Sequence, residues 1–164
     1  MILGKFVGCW LACGLALLVL YLFFGVVSGS REHNWPLLNY FQALWLQWVM
    51  LGVVVAFVLF GSVVFAAPSS NATISFIVVL GILFLGRYLN QVALQQPEPL
   101  RSVVYGIYYL IPHLEWYDVR DLIIYDQHLV GWVDCGLATL YALLYMAVFL
   151  VGAWLVFRRK PLNS

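Results

Sequence analysis

The residues able to do chemistry in this sequence are few and sit close together. Glu115, Asp118, Arg120 and Asp121, flanked by His113, Asp126 and His128, form its densest polar group. Paired carboxylates can serve general acid–base work, and a histidine beside an aspartate or glutamate can hold a metal ion. Both tasks need a fixed spacing, and no spacing here reproduces a metal-ligand or hydrolase pattern. Tyr117-Asp118 also lacks the Gly-x-Gly-Asp partner of an intramembrane aspartyl protease. Helix capping and interfacial ion pairs account for the group better than catalysis does. Its remaining role is as a candidate for lining or gating a path. No Gly-rich loop ends in Lys-Ser or Lys-Thr, so no ATP site, cofactor or metal is expected on this chain.

Arg87 is the one charge embedded in an apolar stretch, Leu85-Gly86-Arg87-Tyr88-Leu89-Asn90. A cation at mid-membrane costs at least ~2.5–3.5 kcal/mol, which makes it a functional candidate by default. Near a span end it can instead snorkel to head groups, or pair with Glu115 or Asp118. Tyr141 and Tyr145 share a helix face by their spacing, as do Ala138 and Ala142. Packing through small residues explains that face, and the tyrosines are also candidates for lining a path open to lipid. Cys9, Cys13 and Cys135 all lie in apolar runs and read as small buried hydrophobes, not as a disulfide framework.

The elements that must position these residues belong in a membrane. Of 164 residues, 65% are hydrophobic and 9% charged, with a net charge of +1 and a mean hydropathy of +0.97. An average soluble domain is about 25% charged, so soluble, disordered and nucleic-acid-binding classes all fit poorly. The expected fold is all-α and polytopic, one membrane domain with four spans at about 6–27, 41–67, 72–89 and 135–157. The first, at about 1.5 Å per residue, is long enough to cross a ~30 Å hydrocarbon core. Gly4, Gly8, Ala12 and Ala16 recur every four residues along the first span, a smooth stripe expected to be a helix-packing face. Trp35, Tyr40, Trp45 and Trp48 gather at the start of the second, as rings do at a membrane–water interface. Pro68-Ser69-Ser70-Asn71 is expected to form the turn between the second and third spans. The glycosylation pattern Asn71-Ala72-Thr73 is read as chance, being pressed against the membrane on the cytoplasmic side.

Arg158-Arg159-Lys160 is the only basic cluster, and the positive-inside tendency assigns that end to the cytoplasm. Counting back through four spans puts the N-terminus inside as well, in the cell membrane, with all seven acids and all three histidines outside. Between the last two spans, about 91–133, lies an outer cap. Its segment 102–112 is apolar but too short to cross, and is expected to be re-entrant or interfacial. Leu114, Trp116, Val119, Leu122 and Ile123 then predict a short amphipathic helix.

The cap text Tyr105-Gly106-Ile107-Tyr108-Tyr109-Leu110-Ile111-Pro112-His113-Leu114-Glu115-Trp116-Tyr117-Asp118-Val119-Arg120-Asp121 precedes a last helix rich in tyrosine and alanine, and then the basic tail. That order resembles the C-terminal half of type-2 ATP-binding cassette (ABC) export permeases. Leu3-Gly4-Lys5-Phe6-Val7-Gly8 looks like the start of that family's third membrane helix. The resemblance covers nearly the whole chain, with its four spans standing for helices three to six. It implies a transmembrane component of an exporter, not an enzyme, with a separate cytoplasmic ATPase subunit and a second permease half or copy as partners. The family's two preceding membrane helices and main ATPase-contacting helix have no counterpart before Gly4, so a partial permease is expected. The rival expectation is a non-transporting scaffold or assembly subunit, pairing through the Gly4–Ala16 stripe.

Overall fold

A computed structural model describes residues 1–32, 37–65, 67–95, 114–117 and 131–159, with the side chains of 31–32, 85–95, 115 and 116 outside the description. The described residues form four long helices and one short 3-10 turn, with no strand among them. Helix α1 runs over Ile2–Glu32, α2 over Leu37–Val64, α3 over Pro68–Gln95 and α4 over Trp132–Arg159, and the 3-10 turn is Leu114–Tyr117. The protein is an all-helical membrane protein. Ile2–Ser30, Leu37–Val64 and Trp132–Arg159 are long and apolar enough to cross a bilayer, at mean hydropathies of 2.5, 2.3 and 2.3. The third expected span lies in α3, whose described apolar part, Pro68–Phe84, is shorter than these three.

Every helix overruns its expected span at one end or both, and one boundary changes the connection. Pro68-Ser69-Ser70-Asn71 is not a separate turn: it is the first turn of α3. Proline fits the first helical position because its missing N–H would have no partner there. The Asn71 amide already bonds the Ala67 carbonyl at 3.2 Å, and Phe65 N–H still bonds Gly61 at 2.8 Å. Only 65–67 therefore link α2 to α3.

The pairings along each helix fix the directions. On α2 and α4, Trp45 meets Thr139, Gly52 faces Met146, and Phe60 lies against Gly152, so these two helices run parallel. Trp10 of α1 meets Trp48, while Lys5 shares a recess with Leu59 and Ser62, so α1 runs antiparallel to α2. The start of α1 and the ends of α2 and α4 thus lie at one end of the bundle. The starts of α2 and α4 lie at the other. Asp134 in the first turn of α4, and Arg158 and Arg159 in its last, complement the partial charges of the helix ends.

The core is a seam centred on α2. Ala43, Leu46, Val49, Met50, Val53 and Ala56 are buried in one cluster with Cys135, Ala142 and Met146 of α4. Small residues set the spacing, because lipid tails give apolar helices no hydrophobic reason to associate and close packing must do it. A Cβ on Gly52 would come within 2.4 Å of Met146 Cε, and one on Gly152 within 3.1 Å of the Phe60 ring.

The α1–α2 seam is aromatic. Trp10 Nε1 donates to the Trp48 carbonyl at 2.9 Å, and Trp48 Nε1 donates to the Trp10 carbonyl at 3.2 Å. Their rings stack at 5.0 Å, with Phe6 stacked on Trp10 at 5.6 Å. Two of the tryptophans expected at the interface, Trp45 and Trp48, therefore spend their N–H groups on neighbouring helices.

The Gly4, Gly8, Ala12, Ala16 stripe is not a packing face within the chain. All four residues are exposed, and a Cβ on Gly4 or Gly8 would meet nothing within 4 Å. Within the chain, α1 packs through the other side, on Phe6, Trp10 and Gly14. The flat Trp48 indole explains the choice: it needs a glycine beneath it and a carbonyl in reach, and Gly14 and Trp10 supply them. Cys9 is exposed as well, so only Cys135 of the three cysteines is buried as expected.

Candidate functional site

The polar and hollow features at the cap end of the bundle gather around the first turns of α2 and α4. A groove of about 470 Å³ lies there, lined by Phe41, Gln42 and Trp45 of α2 and by Trp132, Cys135 and Thr139 of α4. Trp45 Nε1 donates to Thr139 Oγ1 at 3.1 Å, and the Thr139 hydroxyl donates back to the Cys135 carbonyl at 2.8 Å. That second bond is the i to i−4 form by which a helical threonine satisfies itself inside an apolar seam. Gln42 is 1% exposed, the largest buried polar side chain of the described residues. An amide at the wall of an apolar groove suits a ligand with a long apolar body and one hydrogen-bonding group.

The 3-10 turn Leu114–Tyr117 is seated at this end. A 3-10 turn brings residues three apart onto one side. Leu114 and Tyr117 are accordingly both buried, at 2% and 1% exposure. The Tyr117 hydroxyl donates to the Ala138 carbonyl of α4. Burial pushes this phenol from its ordinary 10.0 up to about 12, so it stays neutral and remains a donor. The expected amphipathic helix is described only over these four residues, and they form the tighter turn.

The expected site residues are divided by the structure. Tyr141 and Tyr145 lie on α4 with ring centroids 4.8 Å apart, and Tyr145 continues to Phe149 at 6.2 Å. This aromatic row lies beside the buried Ala142 and Met146, at the edge of the α2–α4 seam. Arg87 falls within α3, and Glu115 within the 3-10 turn, at positions whose side chains are outside the description. Asp118, Arg120 and Asp121 lie outside the described residues, as does segment 102–112. Among the described residues no three His, Cys, Asp or Glu side chains converge to hold a metal ion.

Sequence reasoning passed over the residues that hold this architecture together. Trp10 and Tyr117 were hidden in apolar or cap text, and Gln42 in an aromatic one. Asn71 is 6% exposed, its amide donates to the Val58 carbonyl at 3.2 Å, and it accepts from Ser75 Oγ at 3.2 Å. A Cβ on Gly61 would strike Asn71 Oδ1 at 2.3 Å, so the glycine makes room for this polar knot. The Asn71 nitrogen that a glycan would need is thereby buried and engaged between α2 and α3. The available signal was a small residue, Gly61, ten positions before a lone asparagine across a short link.

The chain matches no family model, no curated protein and no solved structure.

Proposed function

We propose that this protein is the transmembrane permease component of an ABC-type exporter, forming part of a substrate path driven by a separate ATPase subunit. The observation that carries the reading is the seated cap: Leu114 and Tyr117 are buried at the end of the bundle opposite Arg158 and Arg159. A seated turn that falls between the last two long helices in sequence, at the end away from the basic residues, fits the element order on which the resemblance rests. In this reading the basic end faces the cytoplasm of the cell membrane, with both chain termini on that side and α3 as a fourth span. The middle of the α2–α4 seam is filled by apolar side chains, so the path would run between this chain and a second permease half or copy.

Affinity purification from native membranes tests this directly. An ABC ATPase should co-purify in near-stoichiometric amount. Its absence, in a preparation where the chain is folded, overturns the proposal. The orientation is tested by single cysteines in a cysteine-free background. Reagent added from outside should reach positions 98 and 126 and not 70 or 163, and the reverse pattern would invert the topology.

A second reading is favoured by one observation. None of the most apolar window of α1 is buried, and its small-residue stripe faces outward. A scaffold or assembly subunit that completes itself against another membrane protein has that form. It would bring down a membrane partner without an ATPase.

A further inference from the structure

The basic end of the bundle carries a second hollow, distinct from the groove near the cap. It measures about 600 Å³ and lies between the first residues of α1, Ile2 and Leu3, and a face of α4 formed by Ala147, Val151, Trp154 and Phe157. Those α4 positions lie up to ten steps apart, or ~15 Å at 1.5 Å per residue. That is half of a ~30 Å hydrocarbon core, the depth of one leaflet. The walls are apolar and outward: Val151, Trp154 and Phe157 are each about half exposed.

The mouth of this slot is cationic. The Arg158 guanidinium sits 5.6 Å from the centroid of the Trp154 ring, which itself forms part of the wall. Lys5 lines a smaller adjoining recess of about 260 Å³ that shares Ile2 and Phe157 with the slot. Arg159 follows in the same exposed last turn. Among the described side chains, every cation lies at this end, and the one acid, Asp134, opens α4 at the other. Nothing acidic among them neutralises the mouth.

From this juxtaposition we infer that the slot is a binding site for an anionic phospholipid. One acyl chain lies along the Ala147–Phe157 face, and the phosphate group is held by Lys5, Arg158 and Arg159. Charge selects the headgroup, and a one-leaflet apolar slot selects a chain. Basic pockets between membrane helices take anionic headgroups in this way, on the leaflet where such lipids are enriched. Trp154 serves both parts, since its ring walls the slot and orients the guanidinium above it. An acidic amphipathic segment of a partner protein would match the charge but not require a lipid.

The test is native mass spectrometry of the purified full-length chain after exchange into mixed vesicles of phosphatidylglycerol and phosphatidylcholine. The wild-type chain is expected to retain phosphatidylglycerol preferentially. Arg158→Gln should lower that retention about fivefold, and adding Lys5→Gln and Arg159→Gln should abolish the preference. Ala147→Trp, which fills the slot and leaves every charge in place, should also lower retention of phosphatidylglycerol. Leu137→Trp, at an exposed position near the other end of α4, should not. Equal retention of the two lipids by the wild type overturns the inference. So does wild-type retention of phosphatidylglycerol by Ala147→Trp. Should charge removal disturb membrane insertion, the Ala147→Trp result decides alone.

Discussion

Helix α2 holds α4 and α1 by different means. Toward α4 the contact is spread along the helices: Ala43 and Ala56 on α2 and Ala142 and Ala153 on α4 have no exposed surface, and pairs from Trp45–Thr139 to Phe60–Gly152 keep the two in step. Toward α1 the contact centres on one clasp, the reciprocal Trp10 and Trp48 bonds over Gly14. The first seam works because small residues let backbones approach and many weak contacts accumulate. The second adds to the packing of Phe6 and Trp10 two hydrogen bonds and a stack gathered at one point. A distributed seam should resist any single loss of contact but not an added volume, whereas a clasp should fail at one point.

Added volume in the distributed seam is therefore the largest expected effect. Ala142→Leu places three more carbons where no surface is exposed. Overpacking of this kind costs about 1–3 kcal/mol. It should lower the folded fraction in a detergent–denaturant titration. An unchanged titration would mean that the seam can open without cost, and the distinction between the two contacts would fail.

Gly14→Ala comes next and attacks the clasp. Its Cβ would lie 2.4 Å from Trp48 Nε1 and 2.8 Å from Cε2, ring atoms of a rigid indole that cannot bend away. The ring must move, and the Trp48 Nε1 bond to the Trp10 carbonyl goes with it, as does the stack. An interhelical bond in a bilayer averages ~0.6 kcal/mol and a stacked aromatic pair adds ~0.5–1.5, so a total of about 1–2 kcal/mol is expected. The check is specific: α1 should detach while the α2–α4 pair stays folded, seen as protease access to α1 alone. Simultaneous loss of both seams would show that they are one cooperative unit.

Tyr117→Phe is smaller and concerns the cap. It removes one hydrogen bond to the Ala138 carbonyl, worth about 0.5–1.5 kcal/mol, and leaves the ring in place. Because the folded state holds the Tyr117 proton more tightly than the unfolded chain does, its contribution is complete below pH 10. It is lost as pH rises through about 12. The wild type should therefore lose stability across that window more steeply than Tyr117→Phe. Equal slopes would place the phenol in water.

The legible part of this molecule was whatever depends on composition and period. Long apolar runs announced the helices, and the sparse charges announced which ends differ, because those signals are sums over many residues. Boundaries were less legible: Pro68 reads as a breaker in isolation, yet at a first helical position it starts α3. The contacts were least legible. Spacing of four singled out Gly4, Gly8, Ala12 and Ala16, but the glycine that packs is Gly14, outside that repeat, and only the Trp48 ring opposite it reveals why. Likewise Asn71 carries a surface motif, while Val58 and Gly61 make it a buried bridge. A pairwise contact depends on the partner's side chain, and no property of one helix encodes it.

The smallest expected effect isolates that lesson on a single helix. Gly8 and Gly14 are the same residue type six positions apart on α1, and a Cβ at Gly8 would meet nothing within 4 Å. Gly8→Leu should therefore leave the unfolding of the isolated chain unchanged, even though leucine is far larger than the alanine that disrupts Gly14. If the outward stripe pairs with another membrane protein, the same substitution should leave the monomer intact and reduce that association, because a leucine there holds the partner's backbone away. Crosslinking in membranes together with unfolding in detergent separates the two effects. Destabilisation of the monomer by Gly8→Leu would mean that α1 packs through its stripe after all, and the clasp at Trp48 would then not be what holds it.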